Sequence, residues 1–170
     1  MATTYEKIAT VTVGSGGAST IEFTSIPSIY TDIVLKVSTR DSFSSNYANM
    51  IIKINGVTTS QSNRALLGIG SGTPTSFSDT PLYAQIDNAA NSTASTFSNA
   101  EIYIPNYASS SAYKSVSIDG VTENNATAAA ATLVAGLYAS NTAVSSITLA
   151  PNSGTFNQHS SATLYGIKNS

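Results

Sequence analysis

Cysteine and tryptophan are absent from this 170-residue chain, histidine occurs once, and only 9% of the residues are charged. A soluble domain of ordinary composition carries about 25% charged residues. Without cysteine there are no disulfides and no thiolate ligands, so zinc sites of the usual kind are excluded. The missing disulfides also leave the redox compartment open. Scarcity of titratable groups narrows acid-base and nucleophilic chemistry to a handful of side chains. Apolar runs near the ~20 residues that span a bilayer are missing too. The first residues, Met1 to Lys7, lack the basic start and apolar stretch of a signal peptide.

Positive charge is equally thin. Lys7, Lys36, Arg40, Lys53, Arg64, Lys114 and Lys168 stand singly along the chain, and the net charge is −2. Nucleic acid binding needs several cations gathered on one face, so neither nucleic acid nor membrane is expected as a partner. What the chain does contain is serine, threonine and asparagine, over a 41% hydrophobic fraction. That fraction and a length of 170 residues suffice for one domain, residues 1–170, which buries about 70% of its unfolded surface. Residues 1–6 read as a candidate extended N-terminal arm.

Short runs of β-branched and aromatic residues recur between Gly, Pro, Asn and Ser clusters, the pattern of an all-β sandwich or barrel. Lys7 to Val13 and Thr20 to Thr24, the second with Ile21 and Phe23 on one face, alternate around Gly14-Ser15-Gly16-Gly17 and predict a hairpin. Asp32 to Arg40 places Ile33, Leu35 and Val37 inward, with Lys36, Ser38 and Arg40 outward. Asn49 to Ile54 ends at Asn55-Gly56, a strong hairpin turn. Arg64 to Ile69 and Leu82 to Ile86 are weaker strands, and Gly70 to Thr80 reads as a long loop. Thr96 to Ile104 and Tyr113 to Val121 follow, the second with Lys114, Val116 and Ile118 on one side.

Ala126 to Ala131 has helix-forming alanines, but the consecutive apolar residues Leu133 to Tyr138 favour a strand buried on both faces. Ser145 to Leu149 and Ala162 to Ile167 complete nine or ten strands, expected to form a jelly-roll-like antiparallel β-sandwich.

Candidate chemistry is sparse. His159 lies just before the last strand, and no serine sits in a Gly-x-Ser-x-Gly elbow. The nine carboxylates fall mostly at strand ends or outward positions, where solvation and turn formation account for them. Asp119-Gly120 with Glu123-Asn124-Asn125 lacks EF-hand spacing for calcium. Gly68-Ile69-Gly70-Ser71-Gly72 has no lysine after it, as a phosphate loop would. Asn91-Ser92-Thr93 and Asn125-Ala126-Thr127 match the glycosylation pattern at a rate chance supplies in such a chain. No catalytic, cofactor or metal residue is assigned. Nine tyrosines against five phenylalanines favour interfaces, where a ring is buried while its hydroxyl finds a partner. Tyr47, Tyr83, Tyr103, Tyr107 and Tyr113 are the candidate interface residues.

Four stretches together carry a resemblance: Ile26 to Leu35, Ile104-Pro105-Asn106-Tyr107, Leu133 to Tyr138 with Ser146 to Leu149, and Ala162 to Ile167. They resemble small virion proteins of tailed bacteriophages, particularly those of cyanobacterial and other aquatic hosts. The resemblance implies a non-enzymatic structural protein of the virion, a decoration or cement protein on the capsid exterior. Its implied partners are the major capsid protein or other virion proteins, and copies of itself in a homo-oligomer such as a trimer. A tail-fibre or head-fibre component binding host-surface glycans through the loops Gly70 to Thr80 and Asn88 to Thr96 is the alternative.

Overall fold

Eight strands in one sheet face four in another, and the apolar core lies between them. A computed structural model describes residues 4–124 and 128–168. Among these residues run β1 (Tyr5–Thr12), β2 (Ile21–Phe23), β3 (Asp32–Ser38), β4 (Tyr47–Ile54), β5 (Gln61–Ile69) and β6 (Thr75–Asp79). After them come β7 (Tyr83–Asn88), β8 (Asn99–Pro105), β9 (Lys114–Val121), β10 (Ala130–Tyr138), β11 (Ile147–Pro151) and β12 (Ser161–Ile167). The larger sheet has the order β1-β12-β3-β8-β9-β10-β5-β6 and the smaller β2-β11-β4-β7. Every strand pairing is antiparallel. The expected antiparallel β-sandwich is what forms, with twelve strands among the described residues rather than nine or ten.

The rows that fill the core are those that alternation marks. Ile33, Leu35 and Val37 of β3, Met50, Ile52 and Ile54 of β4, and Ile102 and Ile104 of β8 are all buried. Side chains of a strand alternate between faces, so each of these strands puts one row between the sheets. Gly120 lets the layers approach closely: a Cβ there would stand 2.5 Å from Ile86 Cγ2 of β7.

Several local expectations are overturned. Gly14 to Gly17 reverses the chain, but β1 pairs with β12 and β2 with β11, so no β1–β2 hairpin forms. The reversal instead carries the chain from one sheet to the other. Asn55 and Gly56 do take positive φ values of 52° and 74°, as a two-residue turn requires. Their turn likewise connects the sheets, because β4 lies in the smaller and β5 in the larger. The stretch from Gly70 to Thr80 is not all loop: β6 occupies Thr75–Asp79 and Phe77 stacks on Tyr83. Of the candidate arm, residues 1–3 lie outside the described residues, and Tyr5 and Glu6 pair with Ile167 and Gly166 of the same chain. Arg40 lies beyond the end of β3 and is buried rather than outward.

The run Leu133 to Tyr138 is a strand, but one face of it is open. Along β10, Ala130, Thr132, Val134 and Tyr138 are buried while Ala131, Leu133, Ala135 and Leu137 are exposed. Apart from Thr132, which donates to the Gln85 carbonyl, both rows are apolar, and the second sheet covers only one of them.

Candidate interaction surface

The uncovered row of β10 sits at the centre of an apolar patch on the outer face of the larger sheet. Register places Leu133 directly opposite Leu66 of β5 on one side and Asp119 of β9 on the other. Leu133 is 57% exposed, Leu66 51%, Val121 45% and Leu137 39%. These are four of the nine large hydrophobic residues that stand exposed among the described residues. Scattered exposed leucines are ordinary, whereas a contiguous group marks a contact. Gly68 and Ala131 are cross-strand partners and too small to fill their place on the sheet. A groove of about 320 Å³ opens there, lined by Leu66, Pro74, Val121 and Leu133 among others. Charge on these three strands' outer rows is limited to Arg64 of β5 and Asp119 of β9.

The flanking edge of this sheet, β6, is short and carries only Asp79 as a charge. At the opposite edge, β1 has Glu6, Lys7 and a register shift between Lys7 and Ala9. Bulges and charges are the usual guards of an exposed edge, and β1 has both.

The five candidate tyrosines do not converge. Tyr107 is fully buried and donates its hydroxyl hydrogen to the Pro27 carbonyl, so it belongs to the core and offers no interface. Tyr103, half-buried on β8, donates to Asp32 Oδ2 at 2.8 Å. That bond, with burial second, pushes its pKa up to about 12. Tyr83 of β7 donates to Asp79, and burial first, then that carboxylate, raises it to about 12 as well. Tyr47 of β4 is half-buried beside Phe43, and Tyr113 is 59% exposed just before β9. Rings positioned by strands thus serve their own fold first.

A second polar region lies where β3 leaves the large sheet. Arg40 Nη1 donates to the Thr93 and Thr96 carbonyls at 2.9 and 3.2 Å. Its Nη2 donates to those of Ala90 and Ser92 at 3.2 and 3.0 Å. One buried guanidinium therefore braces the loop between β7 and β8 at four carbonyls, with its five-donor fork matched to backbone acceptors.

Asp87 belongs to the same region. A register shift in the β4–β7 ladder pairs Ala48 with Asp87 but Asn49 with Gln85. That extra residue turns Asp87 to the side of buried Ala48, an effect characteristic of bulges. Asp87 is wholly buried, takes a hydrogen bond from Thr39 Oγ1, and leaves Oδ2 without a partner. Burial drives its pKa well above the usual carboxylate value, the Thr39 bond opposes this, and the nearby Asp41 charge adds to it. Asp41 is raised to about 6 by burial, against the Phe43 N–H bond and Arg40. With Asp32, which is also buried, these two carboxylates depart from the expectation that acids sit at solvated positions. Lys114 is a further buried charged residue. Its ammonium donates to the carbonyls of Ser109, Ala112 and Ser140 at 2.6, 2.8 and 3.2 Å, and burial lowers its pKa.

His159 is exposed at φ 75° in the turn before β12. Among the described residues no three His, Cys, Asp or Glu side chains gather as a metal site. Asp119 stands exposed within β9, and Asn125-Ala126-Thr127 lies outside the described residues. Among the described residues, no helix is long and apolar enough to cross a membrane.

Sequence reading missed the Leu66–Leu133 patch and the Arg40 hub for different reasons. The patch had a signal, the doubly apolar alternation of β10, but alternation cannot say which row is covered. The hub had none, because its acceptors are main-chain carbonyls. No family model matches the chain, and comparison with curated proteins and with solved structures finds no match.

Proposed function

We propose that the chain is a non-enzymatic structural protein of a tailed-bacteriophage particle, a decoration or cement protein on the capsid exterior. Its partners are the major capsid protein and copies of itself. The observation that carries this reading is the exposed apolar row of β5, β9 and β10, which needs a protein cover. Hydroxyls and amides around that row are cheaper to desolvate than charges. The titratable groups support the same reading. Asp41 and Asp87 are sealed from solvent, where no substrate reaches them.

Particles stripped of this protein test the proposal. They should lose resistance to heat and osmotic shock and regain it when purified protein is added back. Stripped particles as resilient as intact ones would remove the cementing role.

One observation favours a second reading, a fibre component binding host glycans. A hollow of about 210 Å³ on the smaller sheet is lined by Phe43, Tyr47, Asn49, Gln85, Asn152 and Ser153, with no charged side chain. Aromatic faces and amides suit a neutral sugar. Retention on a glycan array, lost in Tyr47→Ala, supports it, and no retention removes it.

A further inference from the structure

We infer that a second copy of this chain covers the β5–β9–β10 face, with the two β10 strands antiparallel about a two-fold axis across them. The inference rests on the reading of this face as a protein contact and does not depend on the virion.

The outward row of β10 is self-complementary. It reads Ala131, Leu133, Ala135, Leu137, small and large in alternation. A two-fold axis perpendicular to the strand at the level of Val134 sets 133 over 135 of the second copy, and 131 over 137. Every leucine then meets an alanine, the arrangement that lets facing layers interdigitate.

The neighbouring strands obey the same operation. On β9, register puts Ser115, Ser117, Asp119 and Val121 beside Leu137, Ala135, Leu133 and Ala131. Reversal places Val121 over Ser115 and Asp119 over Ser117, so a hydroxyl meets the carboxylate and the two acids stay apart. On β5, Ser62, Arg64, Leu66 and Gly68 stand beside the same four residues. Reversal lays the Arg64 stem over Leu66 and Ser62 over Gly68, a long side chain covering an apolar one.

The other two-fold axis, along β10, fares worse. It stacks Leu133 on Leu133 and lays Leu66 over Asp119, pressing a carboxylate against an apolar side chain without a partner. Isologous contacts of this kind are the commonest route to a dimer. With β9, β10 and β5 as the apolar centre and β8 and β6 as a polar rim carrying Glu101 and Asp79, five strands at ~4.8 Å spacing and about seven residues each give a footprint of roughly 570 Å² per copy. Two copies bury roughly 1,100 Å², near the lower end of specific interfaces, so a dimer dissociating in the micromolar range is expected.

Sedimentation velocity tests this. Wild-type protein should be dimeric at about 100 µM, well above such a dissociation constant. Leu133→Lys and Ala135→Asp should each be monomeric, with circular dichroism like wild type and, at concentrations below the dissociation constant, melting like wild type, because both sites are exposed. An equimolar mixture of the two variants should regain the dimer, since Lys at 133 then faces Asp at 135. Wild type that stays monomeric overturns the inference, and a mixture that stays monomeric overturns the antiparallel arrangement. Add-back to stripped particles separates this from the functional proposal. A dimer that never joins particles keeps the interface and loses the virion, whereas a monomer that restores them does the reverse.

Discussion

Leu66 of β5 and Leu133 of β10 are direct cross-strand partners, and each keeps more than half of its surface in solvent. Cross-strand apolar pairs stabilise a sheet by roughly 0.2–1 kcal/mol. Full burial of a leucine contributes roughly 1.5–3 kcal/mol. Most of that second quantity is unrealised here, and a partner surface can realise it.

Leu133→Thr should therefore leave the isolated fold nearly untouched, within about 0.5 kcal/mol, as for exposed positions generally. Threonine keeps β propensity while removing the apolar contact. Urea unfolding at low protein concentration checks this. A loss above about 2 kcal/mol would mean that the side chain supports the monomer.

Gly166→Ala should be costly. A Cβ at Gly166 would lie 2.3 Å from Cγ of the Tyr30 ring, which packs flat on β12. Tyr30 is itself buried against the core, so the ring has little room to retreat. Overpacking of this kind costs about 1–3 kcal/mol. A fall in the denaturation midpoint without a change in slope is the expected result.

Arg40→Ala should loosen the loop between β7 and β8. It removes the donors to four backbone carbonyls of residues 90–96. Thr93 O keeps its bonds from the Thr96 N–H and hydroxyl, and of the other three acceptors only Ser92 is a buried residue, so a loss of about 1–3 kcal/mol is expected. Arg40→Lys should recover little, because an ammonium cannot reproduce the fork. Hydrogen exchange should accelerate first in Ala89 to Ser98.

Stability should fall as pH rises from about 4 to 8. The folded-state pKa of Asp41, about 6, and that of Asp87 are both raised by burial. An unfolded aspartate titrates near 3.9. The folded chain thus holds these protons longer than the unfolded one. Their favourable protonated state is present below about pH 4 and is lost as pH passes the folded values. Melting temperature across this range measures it, and Asp87→Asn should flatten the slope. A melting temperature that climbs with pH would refute the protonated pair.

Strand β3 was legible because its rows differ in polarity: Ile33, Leu35 and Val37 against Lys36. The β1–β2 connection was misread because turn residues report a reversal but not the partner. The partners of Ile21 and Phe23 are Leu149 and Ile147, more than a hundred residues away. Asp87 was invisible for a third reason, since a bulge in the ladder rather than any neighbouring residue turns it inward. The candidate surface was half legible. Low charge predicted a protein contact, and tyrosines were the expected anchors. The large apolar side chains exposed on the β5–β9–β10 face are leucines and a valine, and β10 at its centre has two largely apolar rows that read alike.

A cryo-EM map of the particle tests the central claim most directly. The account predicts copies that follow capsid symmetry, with protein density over Leu66, Leu133 and Leu137. Copies absent from the capsid lattice, or that face turned to open solvent, would contradict it.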